Sequence, residues 1–268
     1  MKMTWVLFVK EVKSLFNSWI AYVALIAFTL LNGIAFYINL SMFQKMVRYA
    51  DSLEKGMSRQ DWNLLEQLVQ PLYNTIFALL FIMVPAITMR MFAEEKKQRT
   101  QELLLTSPVK VGHIIGAKYL AALVLITLML IPVIIFPSII YIYGQPSPDW
   151  GPMVTGFIGL FLLGYGLAAI GLFASSVTEN QIVAFMIAVA VEMLFFIVAR
   201  ATVSFDIVQI GDMMINVGAF LKALSITEHF SPLLQGIFRV SDLVYFFSLT
   251  GFWLWATRQS VESARWAG

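Results

Sequence analysis

Residues 90–108 read RMFAEEKKQRTQELLLTSP and separate two long apolar runs of the chain. The first half of this segment is densely charged, and Leu103, Leu104 and Leu105 follow before Pro108 ends it. A solvated loop has no need of three adjacent leucines, whereas a loop that docks into a groove of another protein does. An interfacial loop whose leucines dip into lipid headgroups is the alternative. We favour docking on a protein partner.

The composition of the chain predicts a membrane protein. Of its 268 residues, 59% are hydrophobic and only 13% are charged, whereas soluble domains carry roughly 25% charged residues. The chain has no cysteine, which excludes disulfides, zinc–thiolate sites and thiol catalysis. The first 18 residues are too polar for the apolar core of a cleavable signal peptide, so none is expected.

Six apolar runs approach or exceed the roughly 20 residues that a helix needs to cross a bilayer. We therefore predict an all-α membrane protein with six transmembrane helices in a single domain, residues 1–268. Prolines in the second and third runs predict kinks there. The predicted spans are residues 19–40, 72–89, 119–142, 152–175, 181–200 and 240–257.

Three other segments surround these spans. Residues 1–18 have apolar positions at helical spacing, which predicts an amphipathic helix in the membrane surface or, alternatively, the polar flank of the first span. Residues 41–71 form a polar excursion with balanced charges, which Gly56 divides. Residues 201–239 predict two short helices that re-enter the outer leaflet. In the alternative, residues 207–226 cross the membrane and make a seventh span.

The positions of lysine and arginine predict the orientation. With six spans and an inner N-terminus, the inner segments hold more basic residues than the outer ones. Most outer basic residues lie in long loops, which the positive-inside rule discounts. Residues 90–118 and both termini are therefore predicted to be cytoplasmic.

Glu192 is a carboxylate inside the fifth apolar run. A charged residue at the centre of a membrane-spanning helix raises the free energy of insertion by about 2.5–3.5 kcal/mol, so a carboxylate there requires a structural or functional explanation. It could line a transport path, hydrogen-bond to Asn32 or Asn39 on the first span, or lie nearer the membrane surface.

Small residues recur on one face of the fourth run. Gly164, Ala168, Gly171 and Ser175 follow each other at intervals of four, three and four residues. Such a face lets another helix approach closely. Helix packing is favoured over a role in a transport path.

Motifs for catalysis and nucleotide binding are absent from the sequence. Residues 112–119 have the wrong spacing for a phosphate-binding loop and no hydroxyl for magnesium. The two histidines, His113 and His229, are predicted to lie on opposite sides of the membrane and cannot share a metal. The chain is therefore not expected to be an enzyme, to bind nucleic acid or to hold a cofactor.

The segment at residues 90–108 resembles a signature of ABC-2 type transporter permeases. Its Thr100, Glu102, Leu103, Leu104 and Pro108 match the family pattern, in which a charged run precedes a threonine, a glutamate and adjacent leucines, and a proline ends the motif. At position 99, where many members have glycine, this chain has arginine. The runs VPAITMR at 84–90 and LSITEHF at 224–230 are similar to the gliding-motility-associated subgroup.

This resemblance implies the membrane subunit of an ATP-driven exporter in the bacterial inner membrane. It implies a separate ABC ATPase that binds ATP and Mg, and a second permease subunit beside this one, with membrane lipid around both. A second copy of this chain is favoured for that subunit, and a different permease chain is the alternative. A periplasmic auxiliary protein is a further possible partner. The residues implied to contact the ATPase are Glu94, Glu95, Arg99, Thr100, Glu102, Leu103, Leu104, Leu105 and Pro108.

Two other functions stay open. The chain could be a scaffold that transmits ATPase-driven movement to periplasmic partners through residues 41–71, without moving cargo. It could also be an ion channel or secondary carrier, although a single intramembrane acid argues against this.

Overall fold

The computed structural model describes residues 2–52, 63–100, 109–144, 148–201, 208–210, 213–215 and 217–266. Nearly all of these residues are helical, as predicted. A short antiparallel hairpin, β1 (Val208–Ile210) and β2 (Met213–Ile215), is the exception to an all-α chain. The helices are α1 (Lys2–Phe16), α2 (Trp19–Ser52), α3 (Gln70–Thr88), α4 (Arg90–Lys97), α5 (Val111–Leu130), α6 (Ile135–Tyr143), α7 (Trp150–Val177), α8 (Gln181–Ala201), α9 (Val217–Leu224), α10 (Ile226–Leu234) and α11 (Val240–Trp266).

Helix α7 is the centre of the bundle. It packs against α3, α4, α5, α8, α10 and α11. Its sequence is apolar all round, which is typical of a helix buried on every side. Its glycines allow close approach: a Cβ added at Gly156 would lie 2.6 Å from the ring of Tyr73 on α3, and one added at Gly166 would lie 3.3 Å from Leu249 on α11.

The bundle has two distinct ends. At the first, named the α1 end, Ser18 before α2 meets Arg90 at the start of α4. At the opposite end, named the α10 end, Thr155 of α7 donates a hydrogen bond of 2.7 Å to the carbonyl of Leu233 on α10. The α1 end is the one predicted to face the cytoplasm.

Five helical segments are long and apolar enough to cross a membrane, and they overlap the first five predicted spans. The prediction of a multi-pass membrane protein is therefore confirmed. Helix α11 covers the sixth predicted span and runs the length of the bundle, but it is not among these five, so the six-span topology stays a prediction. The five segments are Trp19–Tyr49, Leu65–Lys97, Val111–Tyr143, Trp150–Val177 and Gln181–Val198.

Helix α2 extends beyond the first predicted span. Its 34 residues measure about 50 Å, whereas the hydrocarbon core of a bilayer is about 30 Å thick. The predicted excursion thus begins as helix and exposes Met42 and Met46. Near the end of the excursion lies a π-helical turn, Leu65–Val69, and both leucines of this turn are buried. Deleting residues 41–71 would therefore remove part of the core. Gly56 lies outside the described residues.

The region before α11 differs in part from the prediction. Two short helices are present, α9 and α10, but the hairpin precedes them. Helix α9 has 8 residues and is about 12 Å long, too short to cross a bilayer. A continuous seventh span over residues 207–226 is therefore wrong. The dipeptide Gly211-Asp212 between two apolar runs is a hairpin signal that the helical interpretation overlooked.

The third predicted span is helical but interrupted. Helix α5 begins at Val111, so the last part of the predicted cytoplasmic region, residues 111–118, forms its first turns. A 3-10 turn, Ile131–Ile134, then joins α5 to α6 and contains Pro132. Proline has no N–H to donate within a helix, which accounts for an interruption at this position.

Candidate functional site

Helix α4 holds the described part of the predicted docking segment. Among the predicted contact residues, Glu94 and Glu95 lie on α4, and Arg99 and Thr100 follow it as exposed residues. The remaining members, Glu102, Leu103, Leu104, Leu105 and Pro108, lie outside the described residues. The site is therefore built from α4 and the elements that hold it.

The start of α4 is fixed to the loop between α1 and α2. Arg90 forms a two-pronged ion pair with Glu94, one turn further on, with N–O distances of 3.0 and 3.1 Å. The same guanidinium donates a hydrogen bond of 3.2 Å to Ser18 Oγ. Glu94 thus has a partner within the chain, and Arg90 joins α4 to the beginning of α2.

A buried lysine links three helices at the α1 end. Lys118 Nζ of α5 donates to Glu95 Oε1 of α4 at 2.7 Å and to Glu11 Oε2 of α1 at 3.1 Å, and its side chain is only 2% exposed. It also lies 5.3 Å from the ring centroid of Phe92. Because an unpaired buried charge is costly, the two carboxylates explain how a lysine is accommodated here.

A second junction fixes α4 to the end of α7. Lys96 donates to the main-chain carbonyl of Ser176, and Ser260 of α11 donates to the same oxygen at 3.1 Å. The last four carbonyls of a helix have no partner within the helix, and a cation is favourable near them. Lys96 and Ser260 meet both requirements and hold α4, α7 and α11 together.

Arg99 has a left-handed backbone, with φ at 56°. Its amide donates to the carbonyl of Lys96, and that of Gln98 donates to Glu94. This arrangement ends many helices and usually contains glycine. Many members of the family that this segment resembles have glycine at position 99. This chain therefore has arginine at a position whose conformation glycine tolerates best.

We expect Arg99→Gly to stabilise the end of α4. A left-handed conformation costs a non-glycine residue roughly 1–2 kcal/mol, partly offset by the greater freedom of glycine in the unfolded chain. Amide exchange at Gln98 should slow about fivefold, as measured by hydrogen exchange of the purified chain. Arg99→Ala removes the same charge but keeps the strain, and should leave exchange unchanged. Equal slowing in both variants would contradict this explanation.

A cavity of about 930 Å³ separates α1 from α4. Charged groups of both signs line it, including Glu11, Arg90, Glu95 and Lys118. One carboxylate oxygen, Glu95 Oε2, is buried without a hydrogen-bond partner among the described residues. The contacts that hold α4 therefore border an open space between α1 and α4.

Sequence reasoning missed the connection between Glu11, Glu95 and Lys118. It placed Glu11 only in the amphipathic helix at residues 1–18, and Lys118 only in the cytoplasmic region at residues 90–118. The available signal was a lysine in the third turn of an apolar helix, which requires a carboxylate partner. That signal does not identify which of several acidic residues supplies the carboxylate.

Glu192 is completely buried on α8, and neither of its carboxylate oxygens has a hydrogen-bond partner among the described residues. Its predicted partners bond instead to their own helix: Asn32 to Phe28 at 2.7 Å and Asn39 to Ala35 at 2.9 Å. The physical reason is placement, since α2 packs mainly on α3 and α5 whereas α8 packs mainly on α7.

The small residues of α7 lie at close contacts with two different helices. A Cβ added at Gly164 would lie 2.9 Å from Ile126 on α5, and one added at Gly171 would overlap Thr88 on α3. Ala168, between these two glycines, and Ser175, one turn beyond Gly171, are fully buried. The stripe thus meets two neighbours rather than a single partner helix.

Comparisons with known proteins add one finding. The model of the family described as ABC-2 family transporter protein matches residues 5–257, nearly the whole chain. A search of the curated proteins gives no match. The match covers the bundle and the segment that leads out of α4.

Proposed function

Because this chain belongs to the ABC-2 family of transporter proteins, we propose that it is the membrane-spanning permease subunit of an ATP-driven exporter. A separate ATPase subunit would bind and hydrolyse ATP with Mg and would dock on residues 94–108. Two copies of this chain, in a bacterial inner membrane, would share two ATPase subunits. The sequence of this chain has no phosphate-binding loop of its own.

The observation that carries this proposal is the way α4 is held. Immediately before the exposed residues Lys97, Arg99 and Thr100, α4 contacts α1 and α5 through Lys118. It contacts α7 through Lys96. A segment that transmits force needs residues that a partner can reach and contacts with the helices that it would move. The exposed residues Lys97, Arg99 and Thr100 support the first requirement, and the contacts of Glu95 and Lys96 support the second.

In the proposed mechanism, movement of the ATPase pulls on residues 101–108. Helix α4 passes that movement to α1 and α5 through Lys118, and to α7 and α11 through the carbonyl of Ser176. Since α7 contacts most of the bundle, a small displacement of its end changes the packing of several spans. Closely packed interfaces respond to such displacements by switching between discrete arrangements.

The proposal is tested by photocrosslinking from position 104 in native cells, followed by mass spectrometry. We expect capture of an ABC ATPase. Capture of lipid or of other membrane proteins alone would contradict docking of this segment on an ATPase.

We expect Leu104→Asp to dissociate or uncouple the complex while the chain still inserts in the membrane. An apolar side chain at the centre of an interface commonly contributes a few kcal/mol, so copurification of the ATPase should fall at least about tenfold. Leu104→Met keeps an apolar side chain of similar size and should behave as the parent. ATP-dependent export at the parental rate in Leu104→Asp would count against the proposed mechanism.

A further inference from the structure

A histidine at the α10 end contacts the helices on either side of it. His229 lies on α10, and its Nδ1 is 2.7 Å from Asp242 Oδ1 of α11. Its Nε2 is 3.3 Å from the main-chain carbonyl oxygen of Ala223 on α9. The ring stacks on that of Tyr245 of α11, with centroids 4.1 Å apart and an interplanar angle of 16°. The imidazole of His229 thus joins α9, α10 and α11.

Both ring nitrogens of His229 face hydrogen-bond acceptors. A main-chain carbonyl and an ionised carboxylate can only accept, whereas a neutral imidazole has a single N–H to donate. The two hydrogen bonds therefore form together only if His229 is an imidazolium, or if Asp242 is protonated and donates to Nδ1. In either form the pair holds one proton more than a neutral histidine beside an ionised aspartate, and the two groups share it as one site.

The burial of Asp242 favours this extra proton. Its side chain is only 3% exposed, and Oδ2 is buried without a hydrogen-bond partner among the described residues. A buried carboxylate is costly unless a cation pairs with it. An imidazolium at His229 supplies that cation, and protonation of Asp242 would remove the charge altogether.

The other charged side chains that the structure describes near this end of the bundle are exposed, apart from the buried Glu192 of α8. Exposed charges interact weakly because water and salt screen them. Within the described part of the chain, Asp242 is the one acidic residue that pairs with His229. The exposed residues are Asp149 before α7, Lys222 of α9, Glu228 of α10 and Arg239 before α11.

The same cluster holds the last two carbonyls of α9. His229 contacts the carbonyl of Ala223, and the hydroxyl of Tyr245 donates a hydrogen bond of 2.7 Å to that of Leu224. Carbonyls at the end of a helix have no partner within the helix, and a cation is favourable beside them. Helix α9 has 8 residues, and a helix shorter than about 12 residues is marginal by itself. Its stability therefore depends on contacts such as these.

We infer that His229 and Asp242 form a proton-binding site that holds the end of α9 against α10 and α11. When the pair loses its proton, the imidazole keeps only one N–H for two acceptors, so one of its two hydrogen bonds is lost. Because the α1 end is predicted to face the cytoplasm, this site responds to the pH on the outer side of the membrane. The inference goes beyond the proposed function, since neither the ATPase nor a cargo takes part in it.

The direction of the pH dependence follows from the number of bound protons. The state in which α9 is held carries one proton on the pair, whereas separated His229 and Asp242 at high pH are a neutral imidazole and a carboxylate. A rise in pH destabilises whichever state binds more protons. We therefore expect α9 to be held at low pH and released as the pH rises through the range, about pH 5 to 8, in which histidine ordinarily changes charge, or above it.

The test uses the purified full-length chain in nanodiscs of a zwitterionic phospholipid, between about pH 5 and about pH 9. Hydrogen exchange followed by mass spectrometry gives the protection of the α9 amides, corrected for the intrinsic exchange rate at each pH. The chain has two histidines, so His113→Gln leaves His229 as the only source of an imidazole NMR signal. We expect this signal to change over one pH interval, and the protection of α9 to fall about tenfold across the same interval.

Four variants separate the proton from the other contacts of the cluster. His113→Gln changes the histidine on α5 and is the matched control, so it should keep the pH dependence of the parent. His229→Gln and Asp242→Asn each remove one half of the site and should give low protection of α9 at every pH. Tyr245→Phe keeps the stacked ring but removes the hydrogen bond to Leu224. It should lower the protection at every pH while the tenfold change with pH remains.

Three results would overturn the inference. The first is a protection of α9 in the parent that does not change with pH. The second is an imidazole signal that stays constant over the interval in which the protection falls. The third is an unchanged pH dependence in His229→Gln, which would place the proton on another group. None of these measurements involves the ATPase, so the crosslinking result at position 104 tests the proposed function separately.

Discussion

Lys118→Met is expected to destabilise the chain by roughly 3 kcal/mol, because it removes the buried cation that Glu11 and Glu95 share. Lys118 is 2% exposed and contacts both carboxylates directly. For a chain of this size, such a loss lowers the melting temperature by about 10 °C. The measurement is thermal unfolding of the purified chain in detergent, followed by tryptophan fluorescence.

Two further variants identify the cause. Lys10 also contacts Glu11, at 3.6 Å, but its side chain is 56% exposed. Lys10→Met should therefore change the melting temperature little, since exposed ion pairs contribute 0–1 kcal/mol. Adding Glu11→Gln and Glu95→Gln to Lys118→Met removes the unpaired charges and should restore much of the stability. Equal destabilisation by Lys10→Met and Lys118→Met would show that the buried network has no special role.

Gly171→Leu is expected to prevent α3 and α7 from packing as they do now. Even a Cβ at this position would overlap the hydroxyl of Thr88 and lie 2.9 Å from its Cβ. Overpacking a close contact typically costs 1–3 kcal/mol, and a whole leucine side chain should cost at least about 3 kcal/mol. The expected outcome is a large fall in the amount of folded, monodisperse protein on size-exclusion chromatography.

Gly251→Leu is the matched control. A Cβ added at Gly251 on α11 meets no atom within 4 Å, so this variant should fold as the parent does. A smaller change tests the contact itself. Gly171→Ala should destabilise the chain, and adding Thr88→Ala should recover part of the loss because it removes the overlapping hydroxyl. If the second substitution gave no recovery, the clash with Thr88 would not be the cause.

Hydropathy averaged over a whole segment indicates whether lipid or water surrounds that segment. The positions of the long helices were therefore predictable. The runs around Pro152 and Gln181 have few polar residues, and the helices there begin within two residues of the predicted spans. The extension of α2 was not predictable in this way. Residues 41–52 are polar enough to suggest a loop, but nothing in them interrupts a helix, and α2 simply continues to Ser52.

The contacts of the candidate site were less predictable than its position. Arg90 and Glu94 lie one turn apart on the same helix, a spacing that favours an ion pair, although the sequence analysis did not use it. The link from Lys118 to Glu11 joins residues far apart in the chain and depends on how α1 packs against α5. Hydropathy carries no information about such pairings, and a single sequence does not supply them.

The junction at Ser176 has a consequence for genetics. Its acceptor is a main-chain oxygen, which every amino acid possesses, so Ser176→Ala leaves both hydrogen bonds intact. An alanine substitution at Ser176 would therefore not detect the junction of α4, α7 and α11. The donors, Lys96 and Ser260, are the positions at which an alanine scan would detect it, and a double substitution there would reveal that two distant parts of the gene act on one atom.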